Sequence, residues 1–132
     1  MIILDTHALV WWLGMDKSRL TVAALTAIEN ELPSGEVVVS SISAWEIAML
    51  VQRNKLDLSM DVLDWLDAAG RIEALTFAPV DNVVAVKSHS LPGDFHADPA
   101  DRIIVALARE LGAPLVTADE KIRRYPHVRT IW

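Results

Sequence analysis

Met1-Ile2-Ile3-Leu4-Asp5 is the stretch whose reading decides the fold. Four apolar residues follow one another without polar alternation, and an acid closes the run. A strand with one wet face alternates, whereas a strand covered on both faces does not. The run therefore reads as a strand of a parallel sheet with helices on either side. Val37-Val38-Val39-Ser40 repeats the pattern. Residues 73–77, 114–117 and 128–132 supply three further short strands. Between them, helices are predicted over 8–13, 18–32, 43–53, 61–70, 80–90 and 99–110, with a helical turn at 120–124. Pro33-Ser34-Gly35 and Gly112 act as stops. Alternating strands and helices predict an α/β fold of three layers, α/β/α, around a parallel sheet of four or five strands.

The chain has 132 residues, of which 52% are hydrophobic, so a single domain over 1–132 with one sizeable core is expected. It has no cysteine, which removes disulfides and thiolate metal sites and accords with a reducing cytoplasm. No apolar run is long enough to cross a membrane, and Asp5 follows the first run too soon for a secretory leader. The formal charge is −6. A protein that holds nucleic acid by charge alone should be basic. The acidic balance therefore argues against a passive nucleic-acid binder. It is compatible with a site where a divalent cation inverts the local field.

The acids fall in a pattern. Ligands of open parallel sheets bind beyond the carboxyl ends of the strands. Asp5 ends the first strand, and Asp119 lies just past the fourth. Glu46 sits in the first turn after the second strand. Asp98 and Asp101 open the long helix 98-DPADRIIVALA-108. Each has a plain structural explanation. Asp5, Asp98 and Asp119 could cap helices, Pro99 suits a first helical position, and Ser43-Ala44-Trp45-Glu46 fits a capping box. Together they suggest more, because crowded carboxylates must take up a proton or share a cation. An oxygen-rich cluster without cysteine favours Mg²⁺ or Mn²⁺. Such an ion polarises a phosphoryl oxygen and lowers the pKa of a bound water, so metal-assisted phosphodiester hydrolysis is the expected reaction.

Other residues are less decisive. His7 and His96 flank the acids and could reach a phosphate or orient a carboxylate, or simply pack. Trp11 and Trp12 are read first as core, then as dimer contact, then as a base-stacking platform. Arg102 stands beside the candidate site and could steer a polyanion. The helix from Ile103 onward is expected in the core or at a subunit interface. No Gly-rich phosphate loop and no Gly-x-Ser-x-Gly elbow is present.

The ordered set resembles the PIN-domain nucleases, and among them the VapC-type ribonuclease toxins of toxin–antitoxin pairs. The resemblance rests on Leu4-Asp5-Thr6-His7 with Trp11-Trp12, Ser43-Ala44-Trp45-Glu46-Ile47, His96-Ala97-Asp98-Pro99-Ala100-Asp101-Arg102, Leu115-Val116-Thr117-Ala118-Asp119 and Trp132. It implies that Asp5, Glu46, Asp101 and Asp119 are the family's four acids, with Asp98 an additional one near the metal. Thr6 and Thr117 match the hydroxyl residues beside the first and last acids. Ala100 departs from the family, in which an aromatic is frequent there. The resemblance further implies an RNA substrate, Mg²⁺ or Mn²⁺ as cofactor, a cognate antitoxin and a homodimer. The alternative is a PIN-like module that binds RNA or a partner without cutting, for which Asp101→Asn should be silent. A phosphotransfer domain with Asp5 as nucleophile would need an Asp two residues on, and His7 stands there.

Overall fold

The computed structural model describes residues 1–14, 17–33 and 35–132. Strands β1 (Ile2–Leu4), β2 (Val37–Ser40), β3 (Leu75–Ala78), β4 (Leu115–Val116) and β5 (Thr130–Ile131) form one sheet in the order β3-β2-β1-β4-β5. Every pairing is parallel. The unalternating apolar runs thus mark strands covered on both faces, as predicted, and the sheet has five strands.

The helices follow from the same pattern. They are α1 (Thr6–Leu13), α2 (Val22–Glu31), α3 (Ile42–Gln52), α4 (Val62–Gly70), α5 (Asn82–Lys87), α6 (Pro99–Leu111) and α7 (Glu120–Arg123). Successive strand residues point to opposite faces. Ile2, Leu4, Val37, Val39 and Val116 pack against Leu9 and Trp12 of α1, Ile28 of α2 and Ile47 of α3, with Trp65 and Leu66 of α4 at the margin. Ile3, Val38 and Leu115 pack against Val84 of α5, Ile104 to Ala108 of α6 and Ile122 of α7. The chain steps from β1 to β3 in one direction and then returns to β4 and β5. With crossovers of one hand, that reversal puts the two helix sets on opposite faces. Helix α6 is buried at five successive positions, 104–108, so it is core. Full burial of a Leu or Ile side chain contributes on the order of 2 kcal/mol.

Three local readings are corrected. The segment predicted as one helix over 18–32 is a 3₁₀ turn (Lys17–Arg19) followed by α2. Thr21 interrupts it, because its hydroxyl accepts from Ala24 N–H at 3.1 Å and so starts a new helix. Ser34 of the expected stop lies outside the described residues. Helix α5 covers only Asn82–Lys87, capped by Asp81, and the chain from Ser88 to Asp98 is irregular. The capping box at Ser43 does not form. Helix α3 begins at Ile42, and the Ser43 and Glu46 side chains bond to Thr6 instead.

Gly112 ends α6 in the left-handed region at φ +61°, and a Cβ there would meet nothing within 4 Å. The cost of a side chain is therefore conformational alone. Gly112→Ala should lower stability by about 1 kcal/mol in urea unfolding, with an unchanged denaturant slope.

Candidate active site

The sheet order changes direction between β1 and β4. Their carboxyl ends are where a crevice opens in such a sheet. Leu4 pairs with Val116, so Asp5 and Thr117 emerge side by side. Thr117 donates its hydroxyl proton to Asp5 Oδ2 and accepts from Asp119 N–H at 3.0 Å. Asp5 Oδ1 accepts from Ala8 N–H at 2.8 Å, which caps α1. A second hydroxyl relay lies on the other side of Asp5. Thr6 gives its one hydroxyl proton to Glu46 Oε1, so Ser43 is the donor in its 2.8 Å bond to Thr6. Ser43, Thr6 and Thr117 are all essentially buried, so both relays are held in the core. Sequence reasoning read Ser43 as a cap and missed this role. Only its place one helical turn before Glu46 hinted at it.

The caps expected of Asp98 and Asp119 form, and capping by itself leaves carboxylate oxygens free. Asp98 Oδ1 accepts from Asp101 N–H at 2.9 Å, and Asp119 Oδ1 accepts from Lys121 N–H and Ile122 N–H at 2.9 and 3.1 Å. A cap after a parallel strand sits at the carboxyl edge by construction. Capping by Asp119 engages Oδ1 and leaves the other carboxylate oxygen for the crevice.

Asp5, Thr6, His7, Trp11, Glu46, Asp101, Ile104, Ala118 and Asp119 line one cavity of about 290 Å³. Four of the five predicted acids meet there. Asp98 is exposed and does not line it, though its charge reaches Asp101. Trp12 is core, as read first, while Trp11 is half-buried at the cavity wall, between His7 and Trp132. Arg102 does not line the cavity. Its Nε–H donates to Ser88 O at 2.8 Å, and its Nη1 donates to Phe95 O and His96 O at 3.0 and 3.2 Å. It fastens the irregular 88–98 segment onto α6 rather than facing a polyanion. A cavity of about 330 Å³ at the opposite edge of the sheet holds no acid. Its Arg109 and Arg129 are bonded to His127 O and Gly112 O.

The electrostatics show a site short of positive charge. Burial pushes the Asp5 carboxyl up, against the pull of Thr117, Ala8 and His7. Asp101 is pushed up to about 7, first by burial and then by the charges of Asp98, Asp119, Glu46 and Asp5. Like charges gathered in this way favour a proton or a cation. Ligand atoms of His96, Asp101 and Asp119 lie within 4.8 Å of one another, and among the described residues no other such group of three occurs. Asp5 and Glu46 share the cavity but stand outside that tightest group. Two carboxylates with one imidazole fit a hard or borderline divalent ion. Because Thr117 orients Asp5, Thr117→Val should weaken Mn²⁺ binding by about 10–100-fold in calorimetry while the fold persists.

A family model described as PIN domain matches residues 2–128. The chain is 37% identical to Ribonuclease VapC22 of Mycobacterium tuberculosis (strain ATCC 25618 / H37Rv), covering 99% of this chain and 98% of that protein. Among solved structures, VapBC2 from Rickettsia felis bound to a promoter DNA fragment is similar, with a TM-score of 0.67, 19% identity and coverage of 98% of this chain and 97% of that one. VapC20 of Mycobacterium tuberculosis, a sarcin–ricin loop cleaving toxin, gives a TM-score of 0.61 at 17% identity, covering 98% and 99%. These two show the same fold. PIN-domain nucleases generally use divalent metals, and the acids here have the composition to hold one. With a family match along nearly its whole length and a relative of this identity, the chain belongs to the PIN domain family.

Proposed function

We propose that the protein is a single-domain, metal-dependent endoribonuclease that hydrolyses RNA phosphodiester bonds, and that it is the toxin of a toxin–antitoxin pair. One observation carries the reading. Asp5, Glu46, Asp101 and Asp119, far apart in sequence, share one crevice where the sheet order reverses. Asp5, Asp101 and Asp119 would hold the ion, Mg²⁺ or Mn²⁺, with Asp98 adding negative charge from outside the cavity. A divalent ion there supplies positive charge for the phosphoryl oxygen and activation of water.

The remaining work falls to the chain. Thr6 fixes Glu46 Oε1, so Oε2 is the atom that takes a proton from the attacking water. Thr117 and the α1 N-terminus hold Asp5 in one rotamer. Trp11 and His7 at the wall offer aromatic faces to a neighbouring base.

The relatives suggest the partners. The similar solved complexes pair toxin with antitoxin, and VapC22 is named a ribonuclease. Trp45 and Leu63, 58% and 76% exposed on α3 and α4, offer apolar surface that a bound antitoxin would cover. A homodimer in a reducing cytoplasm completes the reading. No helix among the described residues is long and apolar enough to cross a membrane.

The test is cleavage of total RNA by purified protein with Mg²⁺ or Mn²⁺. Discrete fragments that require the ion, and that vanish with Asp5→Asn, are expected. Equal degradation by wild type and Asp5→Asn, or none by either at any ion concentration, would contradict the reading.

A further inference from the structure

We propose that His96 is itself a ligand of the divalent ion, binding it through Nε2 beside Asp101 and Asp119, and that this nitrogen biases the site toward Mn²⁺ over Mg²⁺. The proposal rests on the metal-dependent reading above and adds a side chain from outside the four acids.

The chain around His96 is held from several sides. Arg102 bonds to the carbonyls of Ser88, Phe95 and His96 itself. Tyr125 donates its hydroxyl to Pro92 O. The Phe95 ring meets His96 edge-on at 4.5 Å between centroids and leans on Tyr125 at 4.7 Å. A loop fastened in this way presents the imidazole from a fixed base. That is what a preorganised ligand requires.

The nitrogen then has an unusual environment. Nε2 lies 3.0 Å from Asp101 Oδ2. The contact lacks hydrogen-bond alignment, and Nε2, shielded from solvent, has no other partner. Buried polar atoms without partners are rare in folded proteins and call for an explanation. A cation between imidazole and carboxylate supplies one. An octahedral ion with bonds of about 2.1 Å spaces adjacent ligands about 3 Å apart, matching this pair. Asp119 brings a third ligand atom to within 4.8 Å of the other two. The competing explanation is an imidazolium paired with Asp101. It would aim its N–H at the carboxylate, and the ring is not so aligned.

The chemistry follows from the donor. Mg²⁺ prefers oxygen and keeps its waters, whereas imidazole suits the first-row transition ions better. Exchanging one oxygen ligand for nitrogen should therefore favour Mn²⁺. Arg102 acts on this ligand only through the loop it pins, so it is a positioning residue.

Pulsed electron paramagnetic resonance of the full chain loaded with Mn²⁺ tests the assignment, because a directly bound imidazole leaves a nitrogen-14 modulation on the manganese signal. The wild type should show it, His7→Ala should keep it, and His96→Ala should lose it. In calorimetry His96→Ala should weaken Mn²⁺ by about tenfold or more and Mg²⁺ by less than about threefold. Mn²⁺ bound in an Asp101-dependent way without nitrogen modulation would overturn the role of His96 and leave the metal site standing. So would modulation that survives His96→Ala. A wild type that binds no Mn²⁺ at all would overturn both.

Discussion

Asp101→Asn should abolish RNA hydrolysis and, in the same molecule, raise the stability of the metal-free fold above pH 7. The activity loss should reach at least about 10³-fold, because the variant removes one of the proposed ion ligands and so weakens the hold on the positive charge needed at the reacting phosphate. The gain in stability has a separate cause. The folded-state pKa of Asp101 is raised from 3.8 to about 7, by burial first and by Asp98, Asp119, Glu46 and Asp5 after it. A group raised in this way favours folding below its unfolded pKa, and the advantage is lost as pH climbs through about 7. Above that value the wild type must keep a charge among like charges, and the amide need not. The full shift is an upper bound, because a fifth of the Asp101 side chain is exposed and water screens it. A gain on the order of 1–3 kcal/mol is expected. Thermal melts at pH 8 in chelator should show it as several degrees. A variant that melts lower than the wild type there would mean that the acids are not crowded.

The second large effect joins pH to metal. In chelator, wild-type stability should fall as pH rises from about 4 to about 7, since Asp101 and Asp5 both resist ionisation in the fold. Saturating Mn²⁺ should reverse the trend above pH 7. A ligand at a hundred times its dissociation constant adds about 2.7 kcal/mol. Below pH 7 the ion must displace the Asp101 proton, so its affinity should drop about tenfold per unit and level off above. The Asp101→Asn profile, subtracted from the wild type, should remove most of the slope. A metal-free wild type whose stability rises across this window would contradict the account.

Much of this was legible in the residues. Ile2 to Leu4 and Val37 to Val39 announce strands covered on both faces because they never alternate. Asp5 follows its strand directly and Asp119 lies shortly past Val116, so strand assignment alone placed them at the ligand edge. Ile104 to Ala108 read as core or subunit interface because no face of that stretch is polar, and they are core. What stayed hidden depends on partners distant in sequence. Ser43 follows a capping spacing, yet its hydroxyl serves a threonine 37 residues away. Thr117 reaches Asp5 across 112 residues. Arg102 looked like a cation awaiting a phosphate, but the carbonyls of a loop that returns to it occupy its donors. Composition names such groups, and only the packed chain shows where their hydrogen bonds go. Asp98 illustrates the limit differently. Its capping role was readable from Pro99, while its place outside the cavity lining shows only in the packed chain.

The most direct test is the position of the ion itself. Crystals grown with Mn²⁺ and measured for anomalous scattering should show a peak in the crevice, within bonding distance of Asp101 and of at least one of Asp5 and Asp119. An empty crevice at saturating Mn²⁺, or a peak held by acids elsewhere on the surface, would contradict the claim that these side chains gather around a shared cation.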